Sequence, residues 1–82
     1  MGKKYTISTE TNANVSPWGA MSYINISSDI TNYGTPIGAI VQSNSSTNPA
    51  VAYLSGTNLV VCSKTAVSNI NVRVVFNKTI MS

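Results

Sequence analysis

Residues 49–63 read PAVAYLSGTNLVVCS. Two apolar runs, 51–54 and 59–62, flank Gly56-Thr57, and no charged side chain falls between Pro49 and Cys62. Glycine at the first central position of a two-residue loop predicts a type II′ turn, because that position needs a positive φ. The register that follows pairs Ser55 with Asn58, Leu54 with Leu59, Tyr53 with Val60, Ala52 with Val61 and Val51 with Cys62. Alternation then puts Leu54, Leu59, Ala52 and Val61 on one face, and Tyr53, Val60, Val51 and Cys62 on the other. Neither face is polar, so both need a cover. One cover is the chain's own second sheet. The other is either the loops at 10–20 and 31–36 or a second chain. The polarity of those loops favours the second chain.

Outward from the hairpin, the chain reads as strands. Residues 69–78 give the clearest period of two, with Ile70, Val72, Val74 and Phe76 inward and Asn71, Arg73 and Asn77 outward. Val75 is an apolar residue on that outward face and joins the candidate contact surface. Residues 4–9 alternate with Tyr5, Ile7 and Thr9 on one side. Residues 21–30 are expected as a strand carrying Ile24, Ile26 and Ile30 on one face, and 37–43 as a strand with Ile37, Ala39 and Val41 opposite Ile40. Turns are expected at 12–19, 31–36 and 44–49 from their Asn, Pro and Gly content. No segment has helical periodicity of useful length, although 64–69 can form a single turn. Turn spacing of this kind predicts an all-β fold, a small antiparallel β-sandwich or barrel, in one domain over 1–82. Within it, 1–11 form a first strand or arm, 12–20 a loop and 21–82 the sheet core.

The size of the chain bears on the second cover. Scaling laws give about 4,700 Å² of surface folded against about 12,600 Å² unfolded. Burial at about 25 cal/mol per Å² of apolar area contributes about 120 kcal/mol. Ordering the chain at about 1.5 kcal/mol per residue costs about the same. Domains with no surplus use disulfides, metals or partner chains. Cys62 is the only cysteine, there is no histidine, and Glu10 and Asp29 are the only carboxylates. An internal disulfide is therefore excluded, and neither a metal cluster nor a cofactor is expected.

Asn, Ser and Thr make up 31 of 82 residues while charged residues are only 9%. With 43% apolar residues this is not the composition of a disordered chain. The net charge of +3 comes from Lys3, Lys4, Lys64, Arg73 and Lys78, which are scattered, so no nucleic-acid partner is expected. No apolar run reaches membrane-spanning length, and no signal-peptide core is expected at the N-terminus. An enzyme is not expected either: Glu10 and Asp29 form the one possible carboxylate pair, both beside turns, and neither a serine nor Cys62 has a histidine base. The four Asn-x-Ser/Thr sequons, at Asn14, Asn25, Asn44 and Asn77, are what this composition produces by chance.

The stretch TPIGAIVQSNSSTNPAVAYLSGTNLVVCSKTAVSNINVRVVF at 35–76, with SPWGAMSY at 16–23, resembles the C-terminal domain of bacteriophage tail fibres and related receptor-binding proteins. The matching features are the Pro-Ile start, the Asn-Pro-Ala-Val-Ala strand, the Ser-Gly-Thr-Asn hairpin and the final Val-Arg-Val-Val-Phe strand. The resemblance implies a homotrimeric β-sandwich in the virion tail, made in the bacterial cytoplasm and meeting a host surface glycan or protein. It also implies two alternatives: a structural trimerisation cap without a ligand, made in some cases as a separate short product, or a bacterial surface adhesin module. For a saccharide, the candidate contacts are Tyr33 with Asn32 in the turn, Trp18 and Asp29. Trp18 reads rather as a loop anchor and Asp29 rather as a local backbone acceptor. The candidate oligomer interface is Val51, Tyr53, Val60, Cys62 and Val75.

Overall fold

The hairpin forms in the expected register. The computed structural model, which describes residues 1–12, 14, 17–42 and 46–78, pairs β5 (Ala50–Ser55) with β6 (Asn58–Ser63) from Ala50↔Ser63 to Ser55↔Asn58. Gly56 has φ 60° while Thr57 is not in the left-handed region, the signature of a type II′ turn.

Around this hairpin the chain builds two antiparallel sheets. One is ordered β2-β3-β6-β5, with β2 at Glu10–Thr11 and β3 at Ala20–Asn25. The other is ordered β1-β7-β4, with β1 at Gly2–Ile7, β4 at Pro36–Val41 and β7 at Ile70–Phe76. Only the β2–β3 and β5–β6 connections stay within a sheet; every other connection crosses. The result is the small antiparallel β-sandwich. Its core lies between the sheets: Leu59 and Val61 from one, Ile7, Ile70, Val72, Val74 and Phe76 from the other, with Ile26 and Ala50 at the margins. The inward and outward residues of β7 fall as its period of two predicts.

Two expectations fail. The strand expected over 21–30 ends at Asn25, and a helix, α1 (Ser27–Tyr33), follows. Ile26, Ile30 and Tyr33 lie at i, i+4 and i+7, so two turns present all three to the core. The Asn25 side chain accepts the Ser27 N–H at 2.9 Å and Asp29 sits in the first turn. Gly34, at φ 90°, ends the helix, its N–H donating to Ile30 C=O at 2.9 Å. A Cβ at this position would collide with the Asn77 side chain. Tyr33 is therefore helical, not in a turn.

The second failure is in β4. A bulge between Pro36 and Gly38 shifts the alternation by one, so Ile37 is exposed instead of facing the core with Ala39 and Val41. Ile40 is exposed as expected. Residues 64–69 run as an irregular crossover without a helical turn. The expected turn at 44–49 falls partly outside the described residues, and so does Asn44 of its sequon.

The crossover is held by a small hydroxyl network. Thr9 Oγ1 and Ser63 Oγ are 2.7 Å apart, Ser63 Oγ donates to Thr65 C=O at 2.7 Å, and the Val67 N–H donates to Thr9 Oγ1 at 2.9 Å. Thr9 and Ser63 are both buried, and these bonds satisfy hydroxyls that would otherwise lose their water partners for nothing.

Candidate functional site

The outer face of the β2-β3-β6-β5 sheet is where the second apolar side of the hairpin lies. On the central strand β6, Val60 sits directly between Tyr23 of β3 and Tyr53 of β5. One rung along, Cys62 sits between Met21 and Val51. Val60 and Cys62 are only 5% and 4% exposed although they point away from the core. The side chains that flank them take up the exposure: Tyr23 59%, Tyr53 50% and Val51 39%. Burial also pushes the Cys62 thiol pKa up, so it stays protonated and unreactive.

Four of the five candidate interface residues, Val51, Tyr53, Val60 and Cys62, thus share one surface. Val75 does not join them. It lies half-buried on the outer face of the other sheet, between Gly2 and Gly38. That opposite face is basic as well as apolar: Lys4 and Ile40 stand either side of Arg73.

The candidate ligand residues are split between two ends. Asp29, Asn32 and Tyr33 all belong to α1, which follows β3, whereas Trp18 precedes β3. A six-residue strand at about 3.3 Å per residue puts about 20 Å between these ends. Trp18 is half-buried and Asn32 exposed. Tyr33 is half-buried, its ring 5.7 Å from that of Phe76 at 56°.

Asp29 ties α1 to β1. Its carboxylate accepts from the Tyr5 hydroxyl at 2.5 Å and from the Lys3 ammonium at 3.0 Å. The Tyr5 hydrogen bond, with Lys3 beside it, holds the Asp29 carboxyl below the usual carboxylate range. Burial, and then the Asp29 charge, push the Tyr5 phenol up. A carboxyl whose folded pKa is depressed contributes stability in full above its unfolded value of about 3.9, and loses it as pH falls through the folded value. Asp29→Asn is therefore expected to destabilise the fold by about 1–2 kcal/mol at neutral pH. Urea titrations of both proteins should show that gap closing on acidification below about pH 4. A gap independent of pH would assign the effect to something other than the charge.

One feature escaped the reading of the sequence. An open cleft of about 400 Å³ is lined by Glu10, Thr11, Asn12, Met21, Ser22 and Tyr23. It lies at the edge of the same sheet, where the two-residue β2 stops and β3 runs on. Glu10 faces the same side as Met21 and Tyr23, and its carboxylate makes no salt bridge or side-chain hydrogen bond among the described residues. β2 is too short for any periodicity to reveal it. The usable signal was that only two carboxylates exist, Glu10 and Asp29.

Among the described residues, no group of His, Cys, Asp or Glu is placed to hold a metal ion, and no helix is long and apolar enough to cross a membrane. Compared with known protein families, curated proteins and solved structures, the chain matches none of them.

Proposed function

We propose that the chain is the self-associating head of a fibre of the phage-tail type, in which three copies turn the outer face of the β2-β3-β6-β5 sheet toward a common axis and the rim of the assembly meets the host-cell surface. The observation that carries this reading is the Tyr23–Val60–Tyr53 row beside Met21–Cys62–Val51, an apolar surface on a chain with little core to spare. A second copy is the occupant that the charges favour. Within its paired strands this face carries no cation and one carboxylate, Glu10, at its edge, and Lys64 follows β6 at its end. The opposite face sets Lys4 directly beside Arg73, an arrangement that repels its own copy.

Self-association through the apolar middle of this face brings no like charges side by side, and a closed ring around an axis leaves no free copy of it. In this reading the protein is made in the bacterial cytoplasm and acts on the virion tail. Sedimentation equilibrium of the purified chain tests it. A species of three times 8.7 kDa is expected. A single-chain species at micromolar concentration overturns it.

A second reading, a trimerisation cap without a ligand, is favoured by the engagement of Asp29 and Tyr33 in contacts within the chain. A glycan array separates the two readings, since the cap binds nothing on it.

A further inference from the structure

We propose that the cleft between β2 and β3 is a saccharide site, with Tyr23 as its stacking platform and Glu10 as its hydroxyl acceptor. This deepens the recognition-head reading and rests on it, with copies meeting over the Val60–Tyr53 and Cys62–Val51 pairs and Tyr23 at the β2 margin of that face, its ring open to the cleft. The cleft, about 400 Å³, is open and mostly polar, with one aromatic wall at Tyr23, which suits a small polar ring held at its rim rather than an enclosed apolar ligand. Glu10 pairs with Met21, so Tyr23 is its diagonal neighbour on the same face, about 7–8 Å away. That gap admits a sugar ring laid on the Tyr23 face while its edge hydroxyls donate to the Glu10 carboxylate.

Two further features complete the site. Beyond Met21 no strand pairs with β3 on this side among the described residues, so main-chain groups of the Ser22–Tyr23 edge stand open beside the cleft. Asn12 closes the other side. Its N–H is anchored to Gly19 C=O at 2.9 Å and its side-chain oxygen accepts the Asn14 N–H at 3.0 Å, which turns the amide into a fixed part of the wall.

The polar groups decide the ligand class. The cleft contains a carboxylate, an amide, three hydroxyls and no cation, so phosphate, sulfate and carboxylate ligands are repelled. A cationic ligand would have a single carboxylate to oppose the chain's net charge of +3. A neutral hydroxylated ring faces neither penalty. It uses the unpaired Glu10 acceptor fully, because each hydroxyl it donates to a carboxylate makes a charge-assisted bond.

The test is an NMR titration of the isotope-labelled chain with methyl glycosides of glucose, galactose, mannose and N-acetylglucosamine. At least one glycoside should give saturable shifts confined to the amides of Glu10, Asn12, Ser22 and Tyr23, with a dissociation constant on the order of 1 mM. Glu10→Gln should weaken binding about 10-fold without changing the molar mass, because Glu10 lies at the rim of the association face. Tyr23→Ala should abolish it. Absence of saturable shifts with all four glycosides overturns the site, as does equal affinity in Glu10→Gln and Tyr23→Ala. Shifts of the same amides by choline chloride in place of the glycosides overturn the saccharide class. The outcome is separable from that of the assembly: glycoside binding by a single-chain species overturns the trimer and keeps the cleft, whereas a trimer that binds no glycoside does the reverse.

Discussion

Val60→Asp is expected to reduce the assembled protein to a single folded chain of 8.7 kDa. Val60 occupies the middle of the proposed association face, directly across from Tyr23 on one side and Tyr53 on the other. In an assembly built on this face, a carboxylate here loses its water without gaining a partner, at a cost of several kcal/mol. Three copies also bring three like charges toward one axis. A combined cost of about 4 kcal/mol weakens association roughly 1,000-fold.

In the isolated chain the cost is smaller. Val60 points away from the core, so an aspartate there reaches solvent once the tyrosines rotate aside, and the lost apolar burial and strand propensity cost about 1–3 kcal/mol. Tyr53→Lys provides the control that cannot be confused with misfolding. Its ring is half exposed and contributes nothing to the buried core, yet the change puts a charge on the same face. Sedimentation should show both variants smaller than the parent, with strand amide dispersion retained. If both keep the parent's mass while folded, the face is not where copies meet.

The hairpin was legible because turn chemistry and alternation agree there: Gly56 admits one two-residue turn, and shifting the register by one would exchange the two faces of every residue. β7 was legible for the same reason, with four inward apolar residues in strict alternation. The helix α1 was not, because its spacing is ambiguous. Ile26 and Ile30 are four apart, which is a helical repeat and also two strand repeats. With Ile24 preceding them the period of two looked continuous. The signals that break the tie are local and polar: Asn25 before the helix, Asp29 in its first turn, Gly34 after it.

The candidate sites divide along the same line. That Val51, Tyr53, Val60 and Cys62 share one face follows from strand alternation and was legible. The role of Asp29 depends on Lys3 and Tyr5, 26 and 24 positions earlier, and no local pattern announces that meeting. The cleft depends on where β2 stops, which is decided by the chain leaving one sheet for the other. Thr9 belongs to that crossing, since its hydroxyl is already committed to Ser63 and Val67.

Phe76→Ala is expected to destabilise the fold by about 3–5 kcal/mol, the usual cost of removing a buried aromatic ring. An 82-residue domain has roughly 4–12 kcal/mol in total, so the variant stands near its unfolding threshold. Phe76 is fully buried at the end of β7 and carries more than its own burial. α1 is seven residues long and contains no fully buried side chain, so it has little stability of its own. It stays in place through Ile30 and Tyr33 packed on the core, Tyr33 against the Phe76 ring, and through the Asp29 tie to β1.

Truncating Phe76 removes the floor beneath Tyr33, so the amide protons of α1 should lose exchange protection before those of β6. The melting temperature should fall by more than about 15 °C for a domain of this size. Tyr33→Phe, which keeps the ring, should change it little. The association face lies on the other sheet, away from Phe76. The variant should therefore still assemble when cold and concentrated, and its melting temperature should rise with protein concentration as assembly draws on the folded state. A melting temperature within a few degrees of the parent would mean that the ring does not hold the two sheets and α1 together. A folded variant that no longer assembles would move the contact between copies to the β1-β7-β4 side, where Val75, Ile37 and Ile40 lie.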